Sequence, residues 1–215
     1  MLIDTMSSEK IDTRTRILRA AWSLLEDQTT ALPRMSDIAK KAGISRQALY
    51  LHFPSRLELL VATTRYQDQV FEIDKRLVPS RNAKGGIERL DAFIDAWCGY
   101  IPKIYSVARA LLAVEATDPE AAAAWSERMA DVREGCAAAV EALHRDGVLP
   151  DGVDVAVATD LLWTLISVRN WEHLTQTCGW PQDCYLDTVK ALAHAALAQD
   201  PAALIRSLKD CSLDG

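Results

Sequence analysis

Residues 43–60 read GISRQALYLHFPSRLELL and set Ser45, Arg46, Gln47, Tyr50 and His52 within eight positions. An arginine fork matches the O6/N7 edge of guanine and a glutamine amide matches the N6/N7 edge of adenine, so Arg46 and Gln47 suit base reading in a major groove. Tyr50 and His52 suit phosphate oxygens. Ile44, Ala48 and Leu49, which lie among them, have the apolar character of packing positions. A helix here would have one polar side and one side with a core to join. The chemistry open to such a set is recognition of a nucleic acid, not bond making.

Those side chains need flanking elements to hold them outward. Gly43 stands where a helix would end in the left-handed conformation, and Ser45 is a helix N-cap, so the stretch Arg46 to about Leu51 is predicted as a short helix that Pro54 stops. Upstream, Ser36 is expected to cap a short helix from Asp37 to about Ala42 that points Ile38 and Ala39 inward. Before it, Ile17, Leu18, Ala21, Leu24 and Leu25 form an apolar stripe on one helix from Asp12 to about Glu26, which DQTTALPR breaks at Pro33. Downstream, Ser55 caps a long helix expected from Arg56 to about Leu77. Two short helices around a glycine turn make a helix-turn-helix, with the second helix entering a groove. Ser36, Ser55 and Arg56, at helix N-termini, are then expected to meet phosphates.

The charge distribution agrees with this reading. The 215-residue chain carries a net charge of -6, yet residues 10–56 hold nine basic side chains against four acidic ones. Local sign matters more than the global total, because charges interact over about a Debye length. With 49% hydrophobic and 25% charged residues the chain reads as globular and water-soluble. The longest apolar run, Val153 to Val168, contains Asp154 and Asp160 and is too short to span a bilayer, and the N-terminus lacks the apolar region of a secretory signal. A cytoplasmic protein with no membrane association is expected. Five cysteines (Cys98, Cys136, Cys178, Cys184, Cys211) without a CxxC pair, and His52, His144, His173 and His194 without helical ligand spacing, predict reduced thiols and no metal centre.

Beyond residue 60 the pattern stays helical, so the fold class is all-α. The loop PSRNAKGG, 79–86, is the best internal division. Helices are predicted at about 87–105, 106–117, 120–145, 154–178 and 182–198, with a short one in DPAALIRSLKDCSLDG. Asp91 with Asp95, and Glu115 with Asp118, are the pairs that acid-base catalysis would use. No nucleophile, metal cluster or phosphate loop accompanies them, so they read as exposed acidic faces and the chain as no enzyme.

The segment MSDIAKKAGISRQALYLHFPSRLELL resembles the DNA-binding signature of the tetracycline-repressor (TetR) family of bacterial transcription regulators, and the similarity extends over about residues 12–60. It rests on Ile38-Ala39, Ala42-Gly43, Ser45, Leu49-Tyr50, His52-Phe53 and Ser55-Arg56-Leu57. DQTTALPR departs from the family's usual glycine between the first two helices, and Arg56 stands where lysine is common. The resemblance implies a three-helix DNA-binding domain, residues 1–60, and a ligand-binding and dimerisation domain, residues 61–215. It also implies a homodimer on palindromic double-stranded operator DNA, a repressor released by a small-molecule effector, and no cofactor. The alternative is a regulator without a small ligand, either an activator or one controlled by a protein partner.

By position in the family, the last two long helices form the dimer contact, through Leu161, Leu162, Leu165, Val189, Leu192 and Leu197. Trp97, Tyr100, Tyr105, Trp125, Trp163 and Trp171 become candidate pocket residues. Cys98, Arg109, Glu115, Arg169, Asn170 and His173 could add polar contacts. A mostly apolar or aromatic ligand is expected, with the helix from Arg56 as the lever between domains.

Overall fold

Helix follows helix, as the absence of period-two patterning predicts. The computed structural model describes residues 12–27 and 32–198, and no strand occurs among them. The described residues divide into two compact units. One takes residues up to Tyr66 with Arg109–Trp125; the other takes Gln67–Ala108 with the residues from Ser126 on.

In the first unit, α1 (Thr13–Asp27), α2 (Met35–Ala42) and α3 (Arg46–His52) lead into α4 (Arg56–Val70). Their apolar stripes meet in one core of Ile17, Leu18, Ala21, Met35, Ile38, Ala39, Leu49, Phe53 and Leu59, with Leu24, Ile44 and Tyr66 packed against it. The helix-turn-helix forms as its residues demand. Gly43 takes φ 67, and the N–H groups of Gly43 and Ile44 close onto the carbonyls of Lys40 and Ala39. One correction concerns Ser36, which is not a cap: α2 begins at Met35, with Arg34 at the N-cap. Pro33 precedes that extended residue, and the Asp37 carboxylate accepts the Arg34 N–H at 3.3 Å. Residues 28–31 of the expected loop, and the whole of the expected C-terminal helix in DPAALIRSLKDCSLDG, lie outside the described residues.

Three longer helices expected from the sequence are interrupted. The helix from Arg56 ends at Val70, because Glu72 adopts φ 55, and α5 (Ile73–Asn82) restarts with Pro79 inside it. PSRNAKGG is therefore helical in its first half. The 87–105 helix is two, α6 (Gly86–Cys98) and α7 (Ile101–Val114). Pro102 has no N–H to offer the Cys98 carbonyl, which instead accepts from Gln182 Nε2 at 3.1 Å. After α8 (Pro119–Arg145), the 154–178 helix becomes α9 (Val155–Leu165), α10 (Val168–Trp171) and a π-helical turn over Glu172–Thr177, before α11 (Gln182–Leu197). Ser167 starts α10 afresh by accepting the Asn170 N–H at 3.2 Å.

In the second unit, α5 and α11 pack on α6, and α11 also packs on α9. Asp91 pairs with His194 at 2.6 Å and Asp95 with Lys190 at 2.5 Å, so α6 spends these two carboxylates in holding α11. Burial pushes the Cys98 and Cys136 thiols up to about 12. The expectation of reduced thiols fails at Cys184, which is disulfide-bonded. Among the described residues no helix is long and apolar enough to cross a membrane, and no cluster of His, Cys, Asp or Glu could hold a metal ion.

Gly86 sits where α6 meets α8, its N–H on Asp146 at 2.6 Å; a Cβ there would stand 2.7 Å from the Leu143 backbone. Gly86→Ala is expected to cost about 1–3 kcal/mol, because backbone cannot give way as a side-chain tip can. A urea midpoint equal to that of the wild type would contradict that close approach.

Candidate nucleic-acid interface

The short helix α3 is held at both ends. Ser45 Oγ accepts the Ala48 N–H at 3.0 Å. At the other end Arg14 of α1 donates to the His52 carbonyl at 3.2 Å, its guanidinium lying 4.3 Å from the Phe53 ring centroid. Leu49 (0% exposed) and Phe53 (1%) anchor the inner side. Arg46, Gln47, Tyr50 and His52 are consequently exposed on one helix of seven residues, with Ser45 exposed at its start, as their sequence positions predict. Arg46 is poised over the Tyr50 ring, 5.5 Å from its centroid. Ser36, although not a cap, is exposed in the first turn of α2.

Two residues of this interface differ from expectation. Leu51, absent from the candidates above, is 84% exposed between Tyr50 and His52. An aliphatic side chain in that place can touch a thymine methyl. The available signal was its position two residues past Leu49, off the side of the helix that Leu49 and Phe53 occupy. Arg56, expected on a phosphate, is instead committed inside the first unit: Nη2 donates to Asp118 at 2.6 and 2.8 Å and Nε to Glu120 at 2.6 Å. Ser55 caps α4, accepting the Glu58 N–H at 3.1 Å.

The basic surplus is divided likewise. Arg16 donates to the Ala42 carbonyl at the end of α2, Arg19 to the Tyr66 hydroxyl at 2.9 Å, and Lys41 to Ser23 at 2.7 Å. With Arg14 and Arg16 on helix C-termini, where cations meet the unsatisfied carbonyls, part of the charge counted for phosphate binding is architectural.

The candidate pocket aromatics fall into separate groups. Trp97 (3% exposed) and Tyr100 (0%) meet edge to face at 6.2 Å, and the Trp97 N–H donates to the Ile166 carbonyl at 2.9 Å. Tyr105 stacks at a tilt on Trp171 (4.8 Å), whose N–H donates to Gln182 at 2.8 Å. Trp163 is half-buried on α9, and Trp125 is buried in the first unit. Of the named polar candidates Cys98 is buried, Arg109 and His173 are exposed, as is Arg169, and Glu115 and Asn170 are half-buried.

Beside Trp97 lies a polar cluster that the sequence did not announce. Asp68 accepts from the Tyr100 hydroxyl at 2.8 Å and from Arg128 at 3.0 Å, and Arg128 stands over Trp97 at 5.3 Å. Desolvation raises the Asp68 carboxyl above its ordinary range, against the opposing pull of Arg128. Asp68 and Arg128 are 60 residues apart, so no local spacing links them.

The proposed dimer residues also separate. Leu162 (0%), Val189 (2%) and Leu197 (1%) are buried within the single chain, whereas Leu161 is 41% exposed and Leu165 and Leu192 are not buried.

Arg56→Ala should lower stability by about 1–2 kcal/mol, as expected for losing a partly exposed bidentate ion pair. Denaturant unfolding reads the loss directly. An unchanged midpoint together with a flatter salt dependence of DNA binding would return Arg56 to the phosphate role.

Comparisons with known proteins agree with this geometry. The model of a family described as "Bacterial regulatory proteins, tetR family" matches residues 17–63, the segment that holds the helix-turn-helix. The nucleoid occlusion factor SlmA of Marinomonas sp. (strain MWYL1) is 29% identical over 109 residues, half of this chain; the match spans about half the length of that relative, 54%. The HTH-type transcriptional regulator CymR of Pseudomonas putida is 27% identical over 168 residues, covering 77% of this chain and 80% of CymR. Among solved structures, the transcriptional regulator FadR of Bacillus subtilis in complex with stearoyl-CoA superposes with a TM-score of 0.69 over 85% of this chain and 98% of that one, at 17% identity, which is a likeness of fold. With its helix-turn-helix assembled and matched in this way, the chain carries over residues 17–63 the segment described for the tetR family of bacterial regulatory proteins.

Proposed function

We propose that the protein is a dimeric, DNA-binding transcriptional regulator of the cytoplasm, acting as a repressor that a small-molecule effector releases from a palindromic operator. The observation that carries this reading is α3: a helix of seven residues, capped by Ser45 and anchored by Leu49 and Phe53, with Arg46, Gln47, Tyr50, Leu51 and His52 all exposed. Residues 1–60 form the DNA-binding domain and 61–215 the regulatory domain. Arg46 and Gln47 read bases, Leu51 meets a thymine methyl, and Tyr50, His52, Ser36 and Ser45 meet the backbone. Arg56 and Ser55 support the interface from within rather than touching DNA.

A two-fold dimer matches a two-fold operator, with half-sites one helical turn apart. Support for pairing through α9 comes from Val157 (65% exposed) and Leu161 (41%), which with Leu165 recur every four residues and form one stripe. Leu192 of α11 extends that contact. Buried Leu162, Val189 and Leu197 hold the helices of one subunit. Release requires an effector that prefers a conformation in which the two recognition helices no longer fit the groove spacing. FadR, crystallised with stearoyl-CoA, lends support to a ligand in the regulatory domain. Catalysis has no part in this reading: the suspected carboxylates Asp91, Asp95 and Asp118 pair with His194, Lys190 and Arg56.

Selection of bound duplexes from a random library is expected to return a palindrome. On variants of that operator, Arg46→Ala and Gln47→Ala should each lose about 1–3 kcal/mol at particular base pairs, measured by fluorescence anisotropy. Loss spread evenly over every sequence would defeat their base-reading role. Leu161→Glu should yield monomers in sedimentation velocity that bind a half-site weakly; an intact dimer would reject α9 as the interface.

A further inference from the structure

Helix α4 turns Gln67 into the interior, where it is 1% exposed and its Nε2 has no hydrogen-bond partner among the described residues. Native interiors complete nearly all such donors, and an amide left without an acceptor marks a place where something absent from the chain belongs. The residues that flank Gln67 in the chain, and their partners, say what kind of thing. Asp68, the next residue, already accepts from Tyr100 and Arg128, and Arg128 is committed to Asp68 at 3.0 Å, with Asp131 4.0 Å away and the Trp97 ring beneath it. The formal charges of this cluster are met from within. A buried anion would find its cation taken, and a buried cation would find its carboxylate taken; either would enter at the full cost of desolvation.

On this stretch of α4 the Gln67 amide is the neutral donor left uncommitted. Phe71, whose N–H bonds the Gln67 carbonyl at 2.9 Å, follows Gln67 by one helical turn. Its ring meets Tyr100 edge to face at 6.1 Å, and Tyr100 meets Trp97 in the same way, so the surroundings are aromatic. We infer that Gln67 is the polar anchor of the effector site, and that the molecule it takes is uncharged, with a flat apolar frame and one hydrogen-bond acceptor such as a carbonyl. This rests on the ligand-responsive reading above and adds the class of ligand to it.

The test uses the full chain without DNA and three probes of one shape, acetophenone, ethylbenzene and benzoate, titrated by calorimetry. Acetophenone is expected to bind about fivefold tighter than ethylbenzene, the worth of one neutral hydrogen bond, with benzoate the weakest. Gln67→Leu should abolish the preference for acetophenone while keeping the affinity for ethylbenzene, and Gln67→Met, which keeps the length of the side chain, should do the same. Equal affinities in the wild type would mean that water completes the donor, and would overturn the inference. So would binding of none of the probes, tightest binding of benzoate, or a preference that both variants retain. Operator release by acetophenone is measured separately by anisotropy: binding through Gln67 without release leaves the site standing and sinks the effector reading.

Discussion

Burial of Leu49 and Phe53 in the core of the first unit decides which way a helix of seven residues faces. A helix so short is not stable by itself in water, because nucleation is costly and too few turns repay it. Its orientation is therefore set by what it packs against. Once those two side chains join Ile17, Leu18 and Ile38, the positions between them have only the outside left to occupy. The turn at Gly43 and the Ser45 cap set where the helix begins, and Arg14 closes its far end on the His52 carbonyl. Exposure of Arg46, Gln47, Tyr50, Leu51 and His52 follows from that anchoring.

The same economy governs the charges. A count of basic residues treats Arg14, Arg16 and Arg56 as equivalent to Arg46, yet the first two sit on helix-terminal carbonyls and the third on two carboxylates. These arginines fix the frame; Arg46 is left exposed over the Tyr50 ring. Their role is set by what lies within reach, which is why a local surplus of positive charge locates an interface without naming its contacts.

The second unit places its polar groups differently. There the interior holds an ion pair, Asp68 with Arg128, and a glutamine amide without an acceptor, features that a purely apolar core would avoid. Gln67 and Asp68 lie on α4, the helix that also supplies Leu59 to the core beneath α3.

Local rules in the sequence were enough to determine the all-α class, the helix-turn-helix, the Gly43 turn, the Ser45 and Ser55 caps and the outward set on α3. Each of these depends on residues within a few positions of one another, where propensity, capping and periodicity act. Tertiary structure decided what depends on partners distant in the chain. Arg56 met Asp118 and Glu120, Asp68 met Arg128, and Leu162, Val189 and Leu197 turned inward while Val157 and Leu161 stayed out. Likewise it is Gln182, distant in the chain, that takes the Cys98 carbonyl that Pro102 leaves open. Periodicity says that a helix has an apolar face; only the packing of other helices says which part of that face is covered, and by what.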